Sequence, residues 1–560
     1  MEPAAAPPLG HGGFAWGRAL APGLLLLLLP PLLLWPLPLQ ATTALTTSPQ
    51  AEGVSHLWGW WAALREGHPL AMHTALLAGP EGVDAALIDP LHLLPYALGA
   101  ALGGPAMGFN LVLLTGLWVS GLAGLCLARR AAPGLAAALL GVVVGCSVPG
   151  LLAIGVDGIT EGLGVGWVGL QLALLLSLAE RVSAARLLAL GGCLVAAVYS
   201  GPYNAVWTAL IDLPVGIWLL GRTRAHLLPA ALAVLASLPA ASAALSRSGA
   251  APGTVGRLAP EMPMPTPLWR GAWREGADLL DLLVPAPLTG HVAEAATTAY
   301  LGLGLVLLAL LGARGRRPWL IGAAAFAALA LGPFLTFEGR ALGGEGWTLL
   351  GPAGLLERLP VFAPLTRWYR AGAVAVLLLI PPAAAAVSRL RPGWAGLALG
   401  LLLLDARFGA PLPGRMPTYP LPEGSVLIGL EGPFAELPPI HPLHRPGEPA
   451  DQNLLLQVLH GQPTNATLNN EPKPATVHPA LRGLRRAAEG AAEGAGEDEA
   501  ALERVRADAR AMAALGYRGL VVYKARLRWS GGASLWAALG APVAEDELVV
   551  VYVLGAAGSG

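Results

Sequence analysis

Three carboxylates, Glu52, Glu81 and Asp89, stand in the stretch that follows the first apolar run of this 560-residue chain. A carboxylate just outside a bilayer can take a proton from an incoming hydroxyl or help hold a metal ion. It can equally be a solvated loop acid. The same stretch carries His56, His68, His73 and His92, which lack the compact spacing of a zinc ligand set. Asp157 and Glu161 stand four residues apart in a very short gap between apolar runs. That spacing would put both on one helix face, with the helix dipole stabilising them. There they could orient an acceptor or a divalent ion. Arg367 and Arg370 bracket Trp368 and Tyr369 just before another apolar run. A guanidinium pairs phosphate bidentately, and the same residues could instead be snorkelling anchors. Asp212 lies in the middle of an apolar run, where an ionisable group is costly and a functional candidate, or a hydrogen-bonding partner of a neighbouring helix.

The elements that must position these groups are membrane helices. The chain is 55% apolar and 12% charged, against about 25% charged in a typical soluble domain, and its mean hydropathy is +0.59. Its net charge of zero gives no electrostatic case for nucleic-acid binding. Cys126, Cys146 and Cys193 lie inside apolar runs and read as buried hydrophobes rather than metal ligands or disulfide partners. The abundance of Ala, Gly, Pro and Arg, with almost no Lys, fits a GC-rich bacterial genome. No Walker loop is present.

The pattern predicts eleven spans, at 19–39, 106–128, 134–155, 162–179, 186–200, 204–221, 226–246, 297–313, 318–336, 371–388 and 393–407. The first is long enough to be a retained span rather than a signal peptide. Arginines fill every second gap: Arg129 and Arg130, Arg181 and Arg186, Arg222 and Arg224, Arg314, Arg316 and Arg317, Arg389 and Arg391. Short Arg-rich loops stay in the cytoplasm. The expected topology therefore has a cytoplasmic N-terminus and outer loops at 40–105, 247–296 and 337–370. An odd span count places the C-terminal segment outside.

The expected organisation is a membrane domain over 1–407 and a small extracytoplasmic α/β domain over 408–560. The latter has a Pro-rich linker, strands at Val426–Leu430, Gly519–Tyr523 and Leu548–Leu554, and a charged helical stretch at 479–515. Trp58, Trp60 and Trp61 are expected on a helix lying in the membrane interface. Asn465-Ala466-Thr467 matches a glycosylation sequon.

A succession of short motifs resembles the GT-C-type membrane glycosyltransferases and their bacterial relatives. Glu52-Gly53 follows the first span, then His56-Leu57-Trp58, Pro80-Glu81-Gly82, Asp89-Pro90-Leu91 and Gly104 to Leu111. Gly158-Ile159-Thr160-Glu161-Gly162-Leu163, Asp278 to Pro285, Leu359 to Phe362 with Arg367 and Arg370, His460-Gly461-Gln462-Pro463 and Gly516 to Tyr523 come later. No single motif is diagnostic; their order and placement over most of the chain carry the resemblance.

The resemblance implies transfer of a sugar from a polyprenyl-phosphate-linked donor to a lipid, glycan or protein acceptor on the outer face of the bacterial inner membrane. It places the catalytic acid in the first outer loop, at Glu52, with Asp89 behind it. Members usually carry Asp where this chain has Glu. Asp157 and Glu161 fall on the acceptor or metal side, Arg367 and Arg370 on the donor phosphate, with His56 and Glu81 as further loop candidates. The cofactor, including any divalent metal ion, and the oligomeric state are left open. Two other readings remain: a transporter or flippase of a lipid-linked substrate, favoured by Asp212, and a catalytically inactive protein of the same fold.

Overall fold

A computed structural model describes residues 15–48, 53–67, 72–77, 82–85, 87, 89–222, 231–232, 235, 276–285, 288, 298–344, 347–357, 359, 362, 365, 367–410, 415–422, 425–437, 452–465, 478–490, 498–524, 527, 529 and 531–554. Glu52, Glu81 and His68 lie outside the described residues. Helices dominate. They are α1 (Ala15–Leu33), α2 (Gly53–Glu66), α3 (Leu93–Ala131), α4 (Leu135–Cys146), α5 (Pro149–Asp157), α6 (Val165–Leu178), α7 (Ala184–Tyr199), α8 (Pro202–Arg222), α9 (Leu303–Leu311), α10 (Arg317–Ala330), α11 (Ala371–Val387) and α12 (Pro392–Gly409). Each expected span overlaps at least one of these helices except 226–246, which falls mostly outside the described residues.

Among the described residues, four helices are long and apolar enough to cross a membrane: Pro90–Ala131, Leu135–Val156, Thr160–Leu178 and Trp368–Val387. Leu20–Leu33, Ala184–Tyr199 and Arg317–Ala330 are shorter apolar helices. The chain is thus a mostly helical, integral-membrane type of protein. Helix α11 is buried on nearly every face, as an apolar helix must be when neighbours surround it. It packs on α3, α4, α9 and α10.

Glycine sets the closest approach in this bundle. A Cβ at Gly124 of α3 would collide with the Gly141 carbonyl of α4, and a Cβ at Gly141 with the Gly124 carbonyl. Without side chains the two backbones can touch. A different glycine effect breaks α3. Gly103 and Gly104 leave helical geometry, Gly104 with φ of 80°, and Pro105 follows. The chain folds back there, so that Gly99 lies against Met107 and Gly108, and Gly108 against Tyr96. The residues before the break, including Asp89 and His92, are thereby held beside the bundle rather than one long helix away from it.

After α12 the chain forms a four-stranded sheet. Its strands are β1 (Phe434–Leu437), β2 (Gly519–Tyr523), β3 (Ala544–Glu545) and β4 (Val549–Val553), in the order β3-β4-β2-β1. β2 pairs parallel with β1, Gly519 opposite Phe434, and antiparallel with β4. Alternation along the strands gives two cores. Leu520, Val522, Val550 and Tyr552 face Leu484 and Met512 of helices α14 (Pro479–Ala488) and α15 (Glu499–Ala514). Val521, Tyr523, Val549 and Val551 face Leu427 and Leu456.

Helix α13 (Gln452–His460) joins this sheet to the helical body. Leu456 enters the sheet's core, while Leu454, Leu455 and Val458 enter the main core with α2. The expected strand at Val426–Leu430 is a turn; the first strand comes later, at Phe434–Leu437. An apolar run of that length does not distinguish a strand from a buried turn. Asn465 is fully buried and its side-chain oxygen accepts from the Glu436 N–H at 2.8 Å, which makes it a structural residue rather than an accessible glycan acceptor.

Two predictions follow from this packing. Gly124→Leu forces the α3–α4 contact apart and should lower stability by about 1–3 kcal/mol or more, read as a fall in the thermal midpoint in detergent. Gly192→Ala, at a helical site with open space around it, should leave the midpoint unchanged or raise it. The second concerns His460, which burial, with a smaller contribution from Arg65, holds down to about 4. The unfolded chain then binds a proton near pH 6.5 that the folded chain refuses. Stability from this group is complete above that pH and is lost as pH falls from about 6.5 toward 4. Replacement by Leu should flatten the dependence of chemical unfolding on pH across that window.

Candidate active site

The first cluster forms around Asp89. Residues four apart on a helix share a face, and α2 uses this to point His56 and Trp60 at the same carboxylate. The Trp60 indole Nε1 donates to Asp89 Oδ1 at 3.1 Å. Oδ2 is met by the Thr160 hydroxyl at 2.5 Å, by His92 Nδ1 at 3.0 Å and by His56 Nδ1 at 3.4 Å. Asp89 is 1% exposed. Its position is set by Pro90, which starts a single 3-10 turn leading into α3, so that His92 returns to the carboxylate three residues on. Burial alone would push the Asp89 carboxyl up. The charge of His56 and the hydrogen bonds from both histidines outweigh it and hold the carboxyl far below the usual range.

Trp58 and Trp60 are interior residues, which overturns the expectation of an interfacial tryptophan belt. Both are fully buried. Trp60 packs on Tyr96 at 5.5 Å and Phe109 at 6.0 Å between ring centroids. Trp58, on the opposite face of α2, donates to Gln457 Oε1 of α13 at 2.7 Å. A buried indole needs an acceptor for its N–H, and each tryptophan has one.

The second cluster forms around Arg370. Its guanidinium pairs with the Glu161 carboxylate, both side chains nearly inaccessible, and stacks over the Tyr203 ring at 4.4 Å. Asn204 Nδ2 donates to the Glu161 main-chain carbonyl at 2.8 Å. One terminal nitrogen of Arg370, Nη2, is buried with no protein acceptor. Arg370 is therefore an interior residue and not a snorkelling anchor. Arg367 is half-buried, and its main-chain N–H donates to the Tyr203 hydroxyl at 3.0 Å.

The two clusters meet in one short turn. α5 ends at Asp157, and Gly158 takes the left-handed conformation, φ 72°, that stops the helix. A Cβ there would strike Gly53 Cα and Thr47. Gly53, the residue after Glu52, therefore lies against the residue after Asp157. A 3-10 turn, Thr160–Gly164, follows. Asp157 and Glu161 are thus on separate elements, because the helix breaks between them; a shared helix face does not exist. Thr160 reaches Asp89 while Glu161 reaches Arg370.

Of the expected site residues, His56, Asp89, Glu161 and Arg370 are brought to these two joined clusters. From the sequence, Thr160 and Asn204 carry no expected role, Trp60 is expected only at the membrane interface, and His92 is one of four histidines without a zinc-ligand spacing. The signal that could have found Thr160 was its place beside Glu161 in a turn too short to be a solvated loop. Among the described residues no group of three or more His, Cys, Asp or Glu side chains is arranged to hold a metal ion.

No family model matches the chain, and no curated protein matches it. The chain is similar to several solved structures. With the arabinofuranosyltransferase AftD from Mycobacteria it shares 17% identity and a TM-score of 0.49, over 96% of this chain and 40% of that one. With ArnT from Cupriavidus metallidurans, solved bound to undecaprenyl phosphate, the values are 14% and 0.41, over 98% and 99% of the two chains. With the Archaeoglobus fulgidus oligosaccharyltransferase they are 12% and 0.41, over 92% and 70%. The chain spans less than half the length of AftD.

The buried pair is directly testable. Glu161→Gln leaves the Arg370 charge uncompensated and should destabilise by on the order of 3–5 kcal/mol, measured by chemical unfolding. Combining Glu161→Leu with Arg370→Met should recover most of that loss, because two apolar side chains no longer need each other's charge.

Proposed function

We propose that this chain is a membrane glycosyltransferase. It moves a sugar from a polyprenyl-phosphate donor to a lipid, glycan or protein acceptor on the extracytoplasmic face of a bacterial inner membrane. The observation that carries the reading is the Thr160–Gly164 turn, which ties a buried, ionised Asp89 to a buried Arg370. In our reading the membrane domain covers 1–407 with eleven spans and a cytoplasmic N-terminus, and 408–560 forms an outer α/β domain. The order of motifs from Glu52 to Tyr523 supports the same assignment.

As the bond from sugar carbon to phosphate oxygen breaks, negative charge gathers on the leaving phosphate. A fixed guanidinium in a buried setting stabilises that charge best. Arg370 has the required free donor at Nη2, and Glu161 and Tyr203 fix its plane. Arg367 stands three residues before it and assists at the mouth. The acceptor hydroxyl loses its proton to Glu52, the first-loop carboxylate, with Glu81 as a further loop acid. Asp89 has a different role from that of a direct base. Its acceptor positions are filled from within by Trp60, Thr160, His92 and His56, so it anchors the start of α2 and orients the imidazoles. Asp157 shapes the acceptor side, while Glu161, paired with Arg370, belongs to the donor-phosphate side.

Transport of a lipid-linked substrate is the second reading, and Asp212 favours it. One comparison separates the two. In membranes supplied with a labelled polyprenyl-phosphate sugar, Glu52→Gln should lower transfer by about 10²-fold or more while leaving lipid translocation unchanged. Undiminished transfer by Glu52→Gln rejects Glu52 as the base. Translocation without transfer in the wild-type chain rejects the enzyme reading.

A further inference from the structure

One polar constellation lies outside both clusters. Asn204, Thr208 and Asp212 recur every four residues on α8, so they form one stripe down a single helix face. At the top, Asn204 donates to the Glu161 carbonyl and to Ser200 Oγ, at 2.8 and 3.1 Å. Eight residues further down, about 12 Å along the axis, Asp212 sits near the middle of the helix. Gln171 of the adjacent helix α6 faces it.

At this lower end the Gln171 amide and the Asp212 carboxyl stand within reach of each other, yet no hydrogen bond of ordinary length and angle joins these side chains to the protein. Gln171 is fully buried, and neither its Oε1 nor its Nε2 makes a hydrogen bond. Thr208 is 6% exposed, and its hydroxyl makes none either. A buried helical Thr can bond back to the carbonyl one turn earlier; this one does not. Asp212 Oδ1 is buried and likewise unpartnered. Unsatisfied groups of this kind are few in native structures, and here three sit on two touching helices.

No described cation faces Asp212 to neutralise it. Helix α6 carries no ionisable residue. On α7, Tyr199 and Cys193 are neutral groups, and the Arg186 guanidinium donates to the Ser177 and Arg181 carbonyls at the other end of the helix. Glu161, Tyr203 and Arg370 are engaged with one another at the top of the stripe. Arg222 closes α8 ten residues beyond Asp212. An ionised carboxylate in this setting would be a half-buried charge with no described counter-ion.

We propose that Asp212, Gln171 and Thr208 form a proton-binding site inside the membrane domain. A proton arriving from the outer side bonds to one carboxylate oxygen of Asp212, and the carboxylate becomes a neutral acid. The acid is then a donor as well as an acceptor. Its O–H meets Gln171 Oε1, and its other oxygen accepts from Gln171 Nε2 or from Thr208. A metal cation would meet the oxygens and leave the Gln171 amide N–H unmet. The Asn204–Thr208–Asp212 stripe links the site to the Glu161–Arg370 pair. The site does not depend on glycosyl transfer and is compatible with either reading above.

Infrared difference spectroscopy on the full chain in lipid nanodiscs tests it. The wild type should show the carbonyl stretch of a protonated carboxylic acid at neutral pH. The band should be absent in Asp212→Asn, shifted in Gln171→Leu and in Thr208→Val, and lost on raising pH. Asp212→Glu retains a carboxyl and should give a shifted band, which covers a failure of Asp212→Asn to fold. An ionised Asp212 at neutral pH overturns the proposal. So does a band that both neighbour variants leave unmoved, or one that sodium or potassium removes at fixed pH.

Discussion

The structure around the candidate site depends on two consecutive side chains that leave one turn in different directions. Thr160 donates to the buried Asp89, and Glu161 receives the buried Arg370. Neither contact is optional. A buried carboxylate and a buried guanidinium each need partners to offset the loss of water. Because the two residues are covalent neighbours, moving either cluster moves the other. Gly158 makes the turn possible, since its left-handed φ and the contact with Gly53 leave no room for a side chain.

Helix α2 extends this constraint outward. Its two faces have different obligations: His56 and Trp60 serve Asp89, and Trp58 serves Gln457. Gln457 also donates to the Leu76 and Gln462 carbonyls, at 2.5 and 2.9 Å. The C-terminal sheet is thereby fixed to the same short helix that borders the acid cluster. A change in the seat of α13 would be felt at Asp89 through α2.

Much of this was legible in the sequence, and the rest was illegible for physical reasons. Apolar run length placed the helices well, because a helix in hydrocarbon must satisfy its own backbone and announces itself by composition. It could not show the reversal of α3, which depends on the local geometry of Gly103 and Gly104. The residue types His56, Asp89, Glu161 and Arg370 stood out as chemistry. Their pairing did not, because Asp89 with Thr160 and Glu161 with Arg370 are long-range contacts. The tryptophans were misplaced for a related reason. An indole suits an interface and a buried pocket with one acceptor equally well, and only the fold decides between Gln457, Asp89 and a lipid headgroup.

In the proposed function Arg370, tied through the Thr160–Gly164 turn to the Asp89 cluster, receives the phosphate of a lipid-linked donor. An experimental structure of the full chain with undecaprenyl phosphate tests it most directly. The phosphate should sit beside Arg370, with the Thr160–Gly164 turn and the first-loop acids around it. A phosphate bound elsewhere, with the Glu161–Arg370 pair closed and untouched, would contradict it.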